Sequence, residues 1–477
     1  MLQALRGVLI PAAIAGRPLR AVLLLLALAA IPEGMADVDA RGSTLALIAD
    51  AGSTGTRVYL FRLDASGSSE DEAPKVQITD LGKGPALSSF QDKPQEAAMA
   101  VQPQLEKAKE LIPEALRASV PVSVFATAGM RLVAEDAQQA IYRGLREGLL
   151  NGPETFVFDA ERLQAHTISG REEGVFALVA ANYLARHLGA SLHSASGDLM
   201  GVLDLGGSST QVAVPPSLNA GEPLVPKLGR EHTFVRSFLK LGMERMRQRT
   251  YQRFVDAASE SLRKGRAVPN PCSFYGYSEA DDVWRGIGDA ASCEEAIAAT
   301  LEEEKASCSA DASAAPAAEC FGAAPVPLPK APAATASRFF LISGYLYVTD
   351  FARWFLDLPG TKKEALQVPQ APGAFSTPTI SELREAAVAL CAEPWESLSA
   401  SASDPNSRHR FTGAKKIPHR CFELNYIAAL LSVGYGFNVN ERLFRIVEDV
   451  DGGEIEWTLG AFLHGIAPGG GAAAEEL

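Results

Sequence analysis

Two stretches of this chain share one grammar, and that repetition limits the folds open to it. Thr44 to Phe61 reads TLALIADAGSTGTRVYLF: an apolar run ends in Asp50, a glycine, serine and threonine turn follows, and a second apolar run begins at Val58. Leu199 to Val214, LMGVLDLGGSSTQVAV, repeats the pattern around Asp204. Each reads as a strand, tight loop, strand hairpin. Taken singly, such a turn is merely a turn, because glycine serves wherever a chain must reverse tightly. Two of them, with their aspartates 154 residues apart, describe a duplicated α/β domain whose halves face each other across a cleft. A phosphate chain between the loops would meet backbone N–H groups and hydroxyls from both sides, and one carboxylate from each half could address a metal ion. The chain has neither a G-x-x-x-x-G-K-[ST] loop nor a G-x-G-x-x-G turn opening a helix, which excludes the nucleotide folds built on those motifs.

With 477 residues and 47% hydrophobic content, the chain can fill more than one core, and its length fits two to three domains. Residues 1–36 stand apart: Arg6, Arg17 and Arg20 precede an apolar run, Ala21 to Ile31, too short for a comfortable membrane span. They read as a secretory signal cleaved before Asp37, or as an anchor, so membrane attachment is expected only if the segment is retained. Their removal takes away three arginines and one glutamate and moves the formal charge from −13 to −15. Such acidity argues against nucleic-acid polymers as partners and requires an anionic substrate to be gripped locally. The six cysteines, all from Cys272 onward, include no C-x-x-C or Cys/His cluster. They read as disulfides of an oxidising compartment, with fifteen pairings open.

Further along, the spacing predicts a helical stretch from Pro94 to Leu116. The strand PVSVFA then enters Thr127-Ala128-Gly129-Met130-Arg131, a third small-residue loop able to reach the cleft; the plainer alternative is a surface connection with Arg131 in an exposed ion pair. A helix predicted to run to about Leu188 opens at Ser169-Gly170-Arg171-Glu172-Glu173-Gly174. Ser169 and Glu172 fit a reciprocal capping box, which gives Glu172 a structural task. Glu173 has none, and a carboxylate there can project into a cleft as a general base; the alternative is a first-turn glutamate favoured by the helix dipole. Cys421 to Tyr435 reads as an amphipathic helix, and Glu456-Trp457 begins the last ordered segment.

DAGSTGTRVYLF, ATAGMRL, SGREEGVFALVAANYL, DLGGSSTQVAV and SGYLYVTDF, in that order, resemble the five signature regions of the apyrase family, the nucleoside triphosphate diphosphohydrolases. KGPALSSF, CFELNYIAALL and EWTLGA extend the likeness over nearly all of residues 43–465. The resemblance implies two ribonuclease-H-like α/β lobes of the actin, sugar-kinase and heat-shock-ATPase superfamily, residues 43–168 with 442–466 forming the first and 169–441 the second. It implies a secreted, cell-surface or lumenal enzyme that hydrolyses the terminal phosphate of nucleoside di- and triphosphates by in-line attack of an activated water, without a phosphoenzyme. Carried over position by position, Glu173 is the general base, Ser209 and Gln211 orient the water, and Thr127 lies beside the phosphates. Asp50 and Asp204 hold a hydrated Ca²⁺ or Mg²⁺. Gly52, Ser53, Thr54, Gly55 and Thr56, with Gly206, Gly207 and Ser208, cradle the phosphates, and Tyr347 stacks on the base. The family pattern also implies the disulfides Cys272–Cys308, Cys293–Cys320 and Cys391–Cys421. This chain departs from the pattern at Ala177-Leu178, where relatives usually carry Gly-Trp. Two other readings share part of it. An exopolyphosphatase or guanosine pentaphosphatase usually ends its last loop in Gly-Gly-Gly-Ser-x-Glu, where this chain has Gln211. A catalytically silent secreted nucleotide-binding or adhesion module is opposed by intact Glu173, Ser209 and Gln211.

Overall fold

A computed structural model of the chain describes residues 37–38, 44–63, 73, 75–151, 159–258, 265, 267–278, 283–310, 320–330, 337–357, 376–403, 409, 411–446 and 455–467. The expected signal at 1–36 lies outside them. Among the described residues no helix is long and apolar enough to cross a membrane.

The repeated hairpins nucleate two sheets of the same topology. In the first, β2 (Thr44–Gly52) and β3 (Gly55–Leu63) form the hairpin, β4 (Val76–Gly84) extends it antiparallel, and β5 (Val122–Ala126) and β6 (Leu163–Thr167) add in parallel on the other side of β2. A short β1 (Asp37–Val38) pairs with the start of β2. In the second, β7 (Gly201–Leu205) and β8 (Ser209–Val214) form the hairpin and β9 (Phe234–Leu239) extends it. A small parallel pair, β10 (Val268–Asn270) and β11 (Trp284–Gly286), stands apart, while β12 (Phe339–Ser343) and β13 (Phe444–Ile446) complete the second sheet in parallel. The molecule is an α/β protein with two equivalent lobes.

Strand side chains alternate between two cores, which is why the apolar runs are continuous rather than half polar. On β2, Leu45, Leu47, Ala49 and Ala51 face an outer core, while Ala46 and Ile48 face a central one. On β12, Phe339 and Leu341 enter the core of the second lobe, and Phe340 and Ile342 enter the same central layer.

The helices in chain order are α1 (Gln102–Leu111), α2 (Glu114–Arg117), α3 (Ala128–Arg131), α4 (Glu135–Asn151), α5 (Gly170–Leu184), α6 (Met243–Ala257), α7 (Ala290–Ala310), α8 (Gly344–Asp357), α9 (Ile380–Ala392), α10 (Trp395–Ser403), α11 (Arg420–Ala429) and α12 (Trp457–Ile466). The central layer consists of α5, which leaves the first sheet and packs on β7, β8 and β9, and α12, which leaves the second and packs on β2 and β3. The two helices pack on each other so closely that a Cβ on Gly460 would lie 1.8 Å from the Phe176 carbonyl oxygen. Only glycine fits there, and a methyl group would force the helices apart at a cost of about 1–3 kcal/mol or more.

Several expectations change. The stretch from Pro94 divides into a 3-10 segment Pro94–Ala100, α1 and α2, because Pro113 draws Ile112 into an extended conformation that ends α1. The helix opened by Ser169 stops at Leu184, short of Leu188, and Arg186 then takes a positive φ of 57°. Phe444–Ile446, expected with the first lobe, pairs with β12 in the second sheet, so the chain is still in the second lobe at Ile446 rather than back in the first from Arg442; by Glu456, which pairs with Arg57, it has returned. Rather than amphipathic, α11 is buried along its whole length and continues as a π-helical turn, Leu430–Gly434.

Of the three disulfides, Cys391–Cys421 matches the family pattern. The other two are Cys272–Cys293 and Cys308–Cys320, not Cys272–Cys308 and Cys293–Cys320. The reason is α7, which carries Cys293 near its start and Cys308 near its end, roughly 22 Å apart at the rise of an α-helix. Cys272 lies beside the start of α7, with a Cα–Cα distance of 4.8 Å to Cys293, and cannot also reach the far end.

Candidate active site

The hairpins present their aspartates in matching positions: Asp50 pairs with Arg57 across β2 and β3, and Asp204 pairs with Gln211 across β7 and β8. Their tips meet. A Cβ on Gly207 would lie 2.8 Å from Ser53 Oγ and 3.5 Å from Thr54 Cγ2, so the second loop touches the first. The loop after β5 closes on the same point, since a Cβ on Gly129 would lie 2.8 Å from the Ser53 Cα. The carbonyls of Gly206 and Gly207 accept from the N–H groups of Met243 and Glu244 at the start of α6. In a trans peptide N–H and C=O point oppositely, so the N–H groups of Gly207 and Ser208 point away from α6. Thr127 is buried at the end of β5, and its side chain makes no cap bond to α3. Thr56, one of the expected cradle hydroxyls, instead donates to the Pro85 carbonyl at 2.8 Å and braces the neighbouring loop. Gly52 has room for a Cβ, its nearest contact being 3.4 Å, so packing within the protein does not demand glycine there.

At the N-terminus of α5, Ser169 and Glu172 form the reciprocal capping box. Glu173, one residue on, is turned inward and only 8% exposed. Gln211 Nε2 lies 2.9 Å from Glu173 Oε2, 2.8 Å from Ser209 Oγ and 3.0 Å from Ser237 Oγ, so one amide links all three. Arg131, brought in by α3 from the first lobe, pairs with Glu173 and also reaches Ser237 Oγ at 3.4 Å. Burial raises the Glu173 carboxyl to about 7, with Arg131 opposing and Asp204 adding to the rise. A carboxylate so placed is poised to exchange a proton near neutral pH.

Asp50 is raised to about 7 by burial and then by the neighbouring charges of Glu173 and Asp204, with Arg57 and a Trp457 side-chain hydrogen bond opposing. Asp204 is raised by burial against bonds from Ser343 and the Leu205 backbone. Ser343 has a positive φ of 55°, backbone strain of the kind that clusters at functional sites. Three carboxylates thus converge, and among the described residues the buried Asp50 Oδ1 has no hydrogen-bond partner. That is the donor set and charge excess a divalent cation fits. Among the described residues no group of three or more His, Cys, Asp or Glu could cage a bare ion. An ion shared by Asp50 and Asp204 would therefore keep much of its water.

From Asp50 outward runs a pocket of about 340 Å³ lined by Gly52, Thr54, Gly55, Arg57, Lys83, Tyr347 and Phe411. Lys83 Nζ lies 3.5 Å from Thr54 Oγ1, and Arg57 pairs with Glu456 at 3.6 Å. The cations line the end near Asp50's hairpin, and the pocket also carries two aromatic rings, Tyr347 and Phe411, with centroids 5.4 Å apart. Of the expected residues, Asp50, Gly52, Thr54, Gly55 and Tyr347 line this pocket. Sequence reasoning missed Ser237, Ser343, Lys83, Arg57, Trp457 and Phe411, and it brought the Thr127–Arg131 loop towards the cleft without giving Arg131 itself a role there. Arg57, Lys83, Trp457 and Ser343 lie in or beside motifs already singled out, which was the available signal.

Two equivalent α/β lobes each aim an aspartate-bearing hairpin at one cleft. Residues 38–467 match the GDA1/CD39 (nucleoside phosphatase) family, and the chain belongs to that family of enzymes. Similar proteins include the nucleoside-diphosphatase mig-23 of Caenorhabditis briggsae, 26% identical over 88% of this chain and 76% of that protein. The guanosine-diphosphatase of Schizosaccharomyces pombe is 29% identical over 87% of this chain and 72% of its own length. Among solved structures, a nucleoside triphosphate hydrolase from Neospora caninum shares the fold at a TM-score of 0.52 and 15% identity, covering 96% of this chain and 97% of that one.

Proposed function

We propose that this nucleoside phosphatase removes the terminal phosphate of nucleoside di- and triphosphates by direct attack of water, in the secretory pathway, and that it requires Mg²⁺ or Ca²⁺. The observation that carries the reading is the linked trio Glu173, Gln211 and Ser209, set beside two converging aspartates at the junction of the hairpin tips. Glu173, held near neutral pH, takes a proton from the attacking water. Gln211 and Ser209 fix the carboxylate and orient the water through the remaining valences of amide and hydroxyl. The N–H groups of Gly207 and Ser208, with Ser53 and Thr54, grip the phosphate oxygens, and Lys83 and Arg57 balance the rest of the chain's charge. When bound by Asp50 and Asp204, the cation supplies charge neutralisation for the phosphates. Tyr347 and Phe411 take the nucleobase. Compartment rests on the N-terminal pattern, the three disulfides and the likeness to a Golgi apyrase of Saccharomyces cerevisiae, 26% identical over 87% of this chain.

The test is phosphate release from ATP, ADP, UDP, GDP and inorganic polyphosphate, with and without excess EDTA. Release from at least one nucleotide, abolished by chelation and restored by Mg²⁺ or Ca²⁺, is expected. Turnover of polyphosphate alone, or of nucleotides in EDTA, overturns the reading.

A further inference from the structure

Beyond the aromatic wall of the pocket lies a buried polar cluster to which the chemistry above assigns no role. On α8, Tyr347, Asp350, Phe351 and Trp354 fall at i, i+3, i+4 and i+7 and form one stripe. His409, Phe411 and Thr412 lie along it. The His409 ring meets Phe351 and Trp354 at 5.4 and 5.6 Å between centroids, and Phe411 meets Tyr347. His409 Nε2 is 3.1 Å from Asp350 Oδ2, while Arg353 Nε donates to the other oxygen, Oδ1, also at 3.1 Å. At the far end, the Thr412 hydroxyl accepts from Arg420 of α11, at 3.2 Å from Nε and 2.6 Å from Nη2, and Arg420 is itself paired with Glu423. His409, Asp350, Thr412, Arg420 and Glu423 are all buried.

Burying charged groups is costly, and an apolar cluster of similar volume would serve stability as well. What paired polar groups add is a single geometry, because each bond has a direction and a fixed partner. The segment so fixed carries Phe411, and Phe411 and Tyr347 are the aromatic lining of the pocket. His409 Nδ1 has no partner among the described residues, so among them the imidazole's one hydrogen bond is that to Asp350.

We propose that His409 and Asp350 are positioning residues for nucleoside specificity: their bond holds Phe411 beside Tyr347 and thereby sets affinity for the nucleobase without entering the phosphate chemistry. This rests on the pocket being the nucleotide site. Cutting the bond loosens the anchor on the His409 side of Phe411 and costs about as much as losing an aromatic–base stack, roughly tenfold in binding.

The experiment measures kcat and KM for GDP, or for whichever diphosphate the panel above ranks first, together with the Ki of inorganic imidodiphosphate, which has no base. The variants are His409→Ala, Phe411→Leu and their combination, with Asp350→Ala cutting the same bond from the helix side should His409→Ala not fold. Expected are a KM about tenfold higher for each single variant, kcat within about twofold, an unchanged Ki, and a double variant no worse than the worse single one. The proposal is overturned if breaking the bond leaves KM unchanged, if Ki rises in parallel, or if the two losses multiply. If Phe411→Leu alone leaves KM unchanged, the nucleobase reading of the pocket fails instead, and the inference falls with it.

Discussion

Replacing Arg131 with methionine separates its electrostatic role from its packing. The guanidinium pairs with a carboxylate that is otherwise buried, and it is the largest influence holding Glu173 down against burial. Two unit charges about 4 Å apart interact by about 4 kcal/mol at an effective dielectric of about 20. That corresponds to roughly three pK units, and opposite charges at contact commonly shift carboxyls by about one to three. Glu173 sits at about 7 with Arg131 present, so without it the proton is held more tightly and the base form is scarcer at neutral pH. The acid limb of kcat/KM should then move from near 7 to about 8–10. At pH 7, where the wild-type base is about half ionised, the variant should lose roughly five- to five-hundredfold in kcat/KM and recover much of it as the pH rises. Arg131→Lys, which restores the charge, should lie between wild type and Arg131→Met. A pH–rate profile with saturating Mg²⁺ reads all of this. Activity lost at every pH with the acid limb unmoved would refute the electrostatic argument and leave Arg131 a purely structural bridge between the lobes.

Two further outcomes follow from the same geometry. Asp50 and Glu173 both bind their protons more tightly folded, at about 7, than carboxyls do in an unfolded chain, at about 4. Stability without divalent cations should therefore fall as pH rises from about 4 to 7 and change little above, so Mg²⁺ should raise the melting temperature more at pH 7.5 than at pH 5; an equal rise at both, by scanning calorimetry, would contradict the charge-excess reading of the site. Peptide mapping without reduction should recover Cys272–Cys293, Cys308–Cys320 and Cys391–Cys421, and peptides linking Cys272 to Cys308 would show that the packing at α7 is wrong.

What could be read beforehand was local or repeated. The hairpins were legible because an apolar run, an aspartate and a glycine turn occur twice, and the capping box because its partners are three residues apart. Glu173 stood out only after Glu172 had been given its task. Arg131 was not legible, because its partner lies 42 residues away on another lobe and nothing local distinguishes it from a surface arginine. The pattern of α11 misled for a related reason: Arg420, Glu423 and Asn425 look like a solvated face, yet their partners close over them in the core. The disulfide pattern carried over from relatives failed where the placement of one long helix decided the matter. Phe411 sits outside any periodic run, so only the fold brings it to Tyr347.

The central claim is that water, activated by Glu173, attacks the terminal phosphate. Its most direct test is Glu173→Gln, an isosteric change that removes the base and keeps the volume. Nucleoside diphosphate binding with Mg²⁺, followed by calorimetry, should stay within a few-fold of wild type, while single-turnover hydrolysis falls by about 10² or more, the scale of a lost general base. Hydrolysis at close to the wild-type rate by a properly folded Glu173→Gln protein would contradict the account.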